Sequence, residues 1–215
     1  MTAVGVTGEL LLTAGILVLL YVAYVLWGTG IQTARAQDEL REEIESQWAD
    51  PQPDVSADGL PTVGPDQIEL GNGYAILRIP RLGDDWERIV VQGVQLPDLA
   101  RGPGHYENTA NPGELGNFAI AGHRAGHGAP FAHLDDIEVG DTVEVETATG
   151  TWTYTIDEGP RIIDPTDTWV VDPVPGENAG AEPTDSRITL TTCHPRYGSS
   201  QRMYVSGVLT DGEDS

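Results

Sequence analysis

Apolar and polar positions divide the chain into three unlike stretches. From Leu10 to Trp27 the sequence LLLTAGILVLLYVAYVLW runs 18 residues without a charge, and the uncharged stretch continues to Ala34. At ~1.5 Å per helical residue, roughly 20 residues cross the ~30 Å hydrocarbon core of a bilayer. Residues 10–31 are therefore predicted to form a transmembrane helix behind a short N-terminal stub, residues 1–9. Tyr21, Tyr24 and Trp27 gather toward one end of it, where aromatic rings suit the headgroup boundary. Two other readings compete. Uniform apolarity opposes a buried core helix; the missing basic flank and the length of the run oppose a cleaved signal peptide.

Residues 32–66 read as a spacer. Leu40, Ile44 and Trp48 recur at i, i+4 and i+8, one stripe of a short helix that continues the membrane helix or packs loosely near the surface. From Asp50 to Asp66, four prolines and two glycines oppose regular structure and predict a tether. Residues 67–215 then carry short apolar or alternating runs between turn signals: 74–79, 88–94, 117–121, 142–147, 152–156, 187–192 and 203–209. Ala148–Thr151 joins two alternating runs as a β-hairpin. Only Phe131–Ile137 suggests a short helix. About seven strands in 150 residues predict a mainly β domain, a sandwich or barrel. The irregular stretch Asp164–Ser186, with six acids, four prolines and no basic residue, is long enough to be functional or disordered.

Composition narrows the function. The 34 acidic residues face 11 basic ones, all arginine, for a net charge of -23. No basic stripe exists to neutralise phosphates, which argues against a nucleic-acid partner, and a lysine nucleophile is excluded. Cys193 is the single cysteine, so neither an internal disulfide nor a multi-cysteine zinc site is available. Topology is left open by charge alone: Arg35 and Arg41 follow the apolar run and none precedes it, but they sit among five acids.

The chemistry concentrates in two places. Ala121-Gly122-His123-Arg124 follows the strand NFAIA, and Thr189–Pro195 (TLTTCHP) delivers Cys193 from a strand to a loop; Arg202 comes nine residues after Cys193. Attack on a peptide carbonyl needs a nucleophile, an oxyanion stabiliser and a proton donor for the leaving amine. Cys193, Arg202 and His123 supply these types. His194 is a weaker base candidate, because neighbours on an extended chain point apart. Arg124 and Arg196 are rivals for the oxyanion role. His123, His127 and His133 invite a metal reading, but pairing 123 with 127 requires a helix that Gly126 and Gly128 oppose. No metal and no cofactor is expected.

NFAIAGHR, GxPF (Gly128–Phe131), GDxVxVxT (Gly140–Thr147), TLTTC and the following Arg202 together resemble the sortase family, most closely the class E sortases of high-GC Gram-positive bacteria. The likeness covers roughly 70–215 and extends to the single N-terminal anchor. It implies an eight-stranded sortase-type β-barrel with short helices behind one transmembrane helix, and a cysteine transpeptidase with an extracellular catalytic domain. It favours Arg202 over its rivals and places Tyr106 near a substrate groove. Thr191 and Thr192 either bind substrate backbone or serve only as strand residues. The substrates it implies are surface proteins with a C-terminal LAxTG/LPxTG-type sorting signal, cut between Thr and Gly, and the acceptor a lipid II-like cell-wall precursor amine. A pilin-polymerising sortase is disfavoured, since no second apolar run follows and no aromatic lid motif precedes Tyr74. A catalytically inactive, membrane-tethered barrel that binds wall peptides is the alternative from another class, as is an unrelated cysteine hydrolase.

Overall fold

The computed structural model describes residues 3–49, 68–176 and 181–214. Its first feature is one continuous helical rod: α1 (Ala3–Ala23), a single π turn (Tyr24–Gly28) and α2 (Thr29–Ala49). The backbone stays right-handed helical through both junctions, at Ala23 and Thr29. Within it Gly5–Ala23 is long and apolar enough to cross a membrane, and none of that stretch is buried by the rest of the protein. The helix runs unbroken past residue 31. The proposed tether at 50–66 lies outside the described residues.

α2 does not pack loosely. Leu40 and Ile44 are fully buried against Ile76, Ile89 and Val91, with Trp48 half-buried beside them. The stripe also extends N-terminally through polar residues that sequence reading passed over. Thr33 donates to Ala100 O (2.8 Å), and the Gln37 amide donates to Ile89 O (3.0 Å) and Arg101 O (2.9 Å) while accepting from Ile89 N (2.8 Å). The amide side chain thus stands in for a missing strand partner at Ile89, where the sheet edge would otherwise be open.

The domain is a closed eight-stranded barrel. Its strands are β1 (Gly73–Arg78), β2 (Glu87–Gln92), β3 (Gly104–His105), β4 (Gly116–Gly122), β5 (Thr142–Thr147), β6 (Gly150–Ile163), β7 (Ser186–His194) and β8 (Gln201–Asp214). Around the barrel the order is β1-β2-β3-β4-β7-β8-β6-β5, closed by β5 on β1, with β2–β3 and β4–β7 parallel and the rest antiparallel. All seven expected strands are present. β3 was not expected: two residues are too few for a period to show. β6 and β8 run longer than their alternating cores, because register shifts around Ile156, Glu158 and Arg161 carry β6 past Gly159 and Pro160. The hairpin turn tightens to Ala148 and Thr149, with Gly150 already paired to Thr147. The expected helix at 131–137 shrinks to one 3-10 turn, Leu134–Asp136. Its apolar residues Phe131, Leu134 and Ile137 still enter the core.

Alternate residues fill the barrel: Leu77, Phe118, Ile120, Val143, Val145, Tyr154, Ile156, Ile188, Leu190, Met203 and Val205. The irregular 164–186 stretch is folded where described. A 3-10 turn at Thr168–Val171 buries Val170, and Asn117 donates to Val170 O (2.9 Å) and Asp172 O (3.1 Å).

His105 on β3 is almost wholly buried, stacked on Tyr74 at 4.8 Å and beside Phe118. Burial pushes its pKa down to about 4 from 6.5. Above pH 6.5 it is neutral whether folded or unfolded. Below that, the unfolded chain takes up a proton that the barrel refuses until about pH 4, so stability falls through this window by on the order of 3 kcal/mol. Unfolding free energies in micelles at pH 7 and 4.5 should differ less for His105→Asn than for the parent; equal differences would contradict the assignment. Truncating Leu40 and Ile44 to Ala, at roughly 2–5 kcal/mol per buried site, should raise amide exchange across residues 33–49 while the strands keep their protection.

Candidate active site

The register of three strands assembles the site. On β4, Phe118 and Ile120 point into the core; on β7, Ile188 and Leu190 do; on β8, Met203 and Val205 do. Side chains alternate along a strand, so Ala119 and Ala121, Thr189, Thr191 and Cys193, and Arg202, Tyr204 and Ser206 all face outward. β4 and β7 pair in parallel with Gly122 opposite Thr192. His123, one step past Gly122, therefore stands level with Cys193. β7 and β8 pair with Cys193 directly opposite Arg202, which sets their Cβ atoms ~4.5–5.5 Å apart on one face. With strands ~4.8 Å apart, Cys193 and Arg202 stand side by side, and His123 leaves the end of the neighbouring strand at the same level.

Each of the three has a distinct setting. Cys193 is a free, half-buried thiol. Arg202 donates through Nη1 to the carbonyls of Ser199 and Gln201, both at 3.0 Å. Burial, and then the neighbouring His127, hold the pKa of His123 below its ordinary value, so its imidazole rests neutral near pH 7.

His127 reaches His123 without a helix. The two rings stack at 4.8 Å with a 25° interplanar angle. Gly126, His127, Gly128 and Ala129 all take left-handed backbone angles (φ +67°, +46°, +69° and +41°), which curl the loop back on itself. Gly126 and Gly128 do oppose a helix here, but instead of keeping 123 and 127 apart they help bring the two rings together. Among the described residues, no cluster of three His, Cys, Asp or Glu side chains has metal-binding geometry.

Arg124 is buried and committed, its Nη2 to Asp135 (2.8 Å) and its Nη1 to His194 Nδ1 (2.7 Å). Burial pulls the Asp135 pKa upward, but a backbone N–H and the Arg124 guanidinium outweigh it and hold the carboxyl below the usual range. A guanidinium only donates, so Nδ1 of His194 is an acceptor here and that ring is fixed by Arg124. Arg196 lies over the Tyr197 ring at 5.9 Å. Neither arginine is opposite Cys193.

Tyr106 lies over the outer face, its hydroxyl 3.4 Å from Thr191 Oγ1, and Thr191 in turn donates to Ile120 O (3.3 Å). Thr192 has the opposite parity: buried and inward, it donates to Gly122 O (2.7 Å) and staples β7 to β4 at the level of the site. Sequence reading missed a cleft of about 470 Å³ beside Arg202, lined by Glu158, Arg161, Ile162, Ile163, Trp169 and Tyr204. Trp169 meets Tyr204 edge-on at 5.8 Å. Ile163 is the register partner of Arg202, so the cleft continues the outer face away from His123. The only signal for it was the length of the 164–186 stretch.

Residues 77–210 match the Sortase domain family. The chain is 34% identical over 211 residues to Sortase SrtE1 of Streptomyces coelicolor, covering 95% of this chain and 56% of that protein. It is 34% identical over 219 residues to Sortase SrtE2 of the same organism, covering 98% of this chain and 83% of that one. It thus spans just over half the length of SrtE1. The solved structure of sortase E from Streptomyces avermitilis aligns with a TM-score of 0.61 at 41% identity, over 68% of this chain and 93% of that chain. A closed eight-stranded barrel, a family match over most of that barrel and two relatives at 34% identity agree: the chain belongs to the sortase family of cysteine transpeptidases and is similar to its class E members.

Proposed function

We propose that this chain is a membrane-anchored transpeptidase that cleaves a C-terminal LAxTG/LPxTG-type sorting signal between Thr and Gly and joins the released protein to a cell-wall precursor amine. The observation that supports it most is that Cys193 stands directly opposite Arg202, with His123 following the last β4 residue paired to the Cys193 strand. In this reading the Cys193 thiol gives its proton to neutral His123 as sulfur attacks the Thr carbonyl. The C–N bond then breaks, the His123 imidazolium protonates the departing Gly amine, and a thioester remains on Cys193. An incoming amine attacks the thioester, loses its proton to His123 and regenerates the thiol. Arg202, which cannot give up its charge, stabilises the oxyanion of both tetrahedral intermediates. Tyr106, Thr191 and the cleft at Trp169 and Tyr204 line the face along which an extended peptide would lie.

The apolar helix Gly5–Ala23 would anchor the enzyme as a single-pass protein with the barrel on the extracellular side, where surface proteins and a lipid II-like acceptor meet. Neither metal nor cofactor has a part in this chemistry.

Full-length protein in micelles, given an LAxTG peptide and an amine acceptor, should release the C-terminal fragment and form the amine adduct. Cys193→Ala should abolish both, and Arg202→Ala should lower kcat by about 10²–10³, the usual loss of one oxyanion donor. Cleavage by the Cys193→Ala variant would refute the mechanism. Because His123 must begin neutral and its pKa is depressed, the acid limb of kcat/KM should fall below pH 6.5. A limb at or above that value would show that His123 is not the base.

A further inference from the structure

The helical rod touches the barrel at a second place besides the Leu40–Ile44 anchor, and that place is the loop that follows His123. Thr29, the first residue of α2, is nearly buried; its hydroxyl donates to Val25 O (2.7 Å) and accepts from the backbone N–H of His127 (3.1 Å). One turn on, Thr33 packs against the same loop: a Cβ on Gly128 would stand 3.2 Å from Thr33 Cγ2. A Cβ on Gly126 would stand 3.7 Å from both Thr29 Oγ1 and Val25 O. A side chain at Gly128 would crowd Thr33, so the loop lies close against the helix on both sides of His127.

The loop needs such support. His127 and Ala129 are non-glycine residues at φ +46° and +41°, a conformation that persists only when surroundings hold it. Its own hydrogen bonds, Ala129 N to Gly126 O (2.7 Å) and Phe131 N to His123 O (3.1 Å), close the curl but leave the His127 N–H for Thr29. The His127 ring, fixed in this way, packs flat on His123.

We propose that α2 is a positioning element of the active site, with Thr29 holding the His127 loop and, through the stacked ring, the placement of His123. This rests on the reading of His123 as the proton-transfer residue. The anchor and the chemistry are then mechanically one. Thr29 lies two residues beyond Trp27, the last residue of the uncharged apolar run that starts at Leu10, so the same contact holds the site close to the end of the apolar segment. It sets the catalytic groups near the bilayer surface, at a height suited to a lipid-linked amine.

The test uses full-length protein in micelles and two near-isosteric variants. Thr29→Val removes the acceptor for the His127 N–H; Thr29→Ser keeps it. Thr29→Val should lower kcat for peptide-to-amine transfer about fivefold to tenfold, the worth of one hydrogen bond, with KM within about twofold, and Thr29→Ser should restore kcat. Amide exchange at residues 124–129 should rise in Thr29→Val only, with the barrel strands unchanged. Parental kcat in Thr29→Val, or an equal loss in Thr29→Ser, would overturn the proposal. If the parent transfers no peptide, the functional reading fails on its own; exchange at 124–129 still decides whether α2 holds the loop, and unchanged exchange overturns it.

Discussion

The site depends on the register between β4 and β7. Parallel neighbours joined by a long excursion have no tight turn to set their alignment, so something between the strands must do it. Here it is a set of polar contacts along the interface: Thr189 to Asn117 Oδ1 (2.8 Å), Thr191 to Ile120 O and Thr192 to Gly122 O. Slipping this pair by one residue would turn Cys193 into the barrel and set Ile188 and Leu190 outside. The inward row of Ile188 and Leu190 therefore fixes the outward row of Cys193, Thr191 and Thr189. Core packing and catalytic geometry are consequences of the same alignment.

A second constraint acts from outside the barrel. The rod from α1 to α2 is held by apolar contact at Leu40 and Ile44, by a side-chain amide at the edge of β2, and by hydroxyls at Ala100 and the His127 loop. A ligament of that kind limits how the barrel can tilt relative to the apolar segment. A flexible tether would let the domain sample many orientations; α2, packed on the barrel from Thr29 to Ile44, restricts them.

The sequence made the apolar helix, seven strands and the His123, Cys193 and Arg202 candidates readable, each for a physical reason. Apolar runs report burial and alternation reports a half-buried sheet; a lone cysteine at a strand end with histidine and arginine in reach narrows the chemistry. What stayed hidden was pairing that leaves no period behind. β3 is two residues long. Thr29, Thr33 and Gln37 are polar, and on a membrane-proximal helix they look solvated until the backbone groups they satisfy are placed in space. His127 looks remote from His123 as long as i, i+4 contact is equated with a helix, whereas four consecutive left-handed residues close the same distance. The cleft at Trp169 and Tyr204 joins residues from β6, its following loop and β8, which nothing local connects.

The acidity of the chain acquires a role once its arginines are followed to their partners. With 34 acidic residues against 11 arginines, a guanidinium on this surface should find a carboxylate. Six of the eleven do, among the described residues. Arg41 meets Glu45 and Glu87; Arg78 meets Glu87, Glu144 and Glu146; Arg81 meets Asp141 and Glu138; Arg187 meets Asp157; Arg161 meets Glu158; Arg124 meets Asp135. Among the described residues Arg202 has no carboxylate within ion-pair distance, only the carbonyls of its own turn. A carboxylate there would neutralise the charge and, in the proposed mechanism, compete with a developing oxyanion for the same donors. An arginine bound only to neutral carbonyls keeps its positive charge available opposite Cys193.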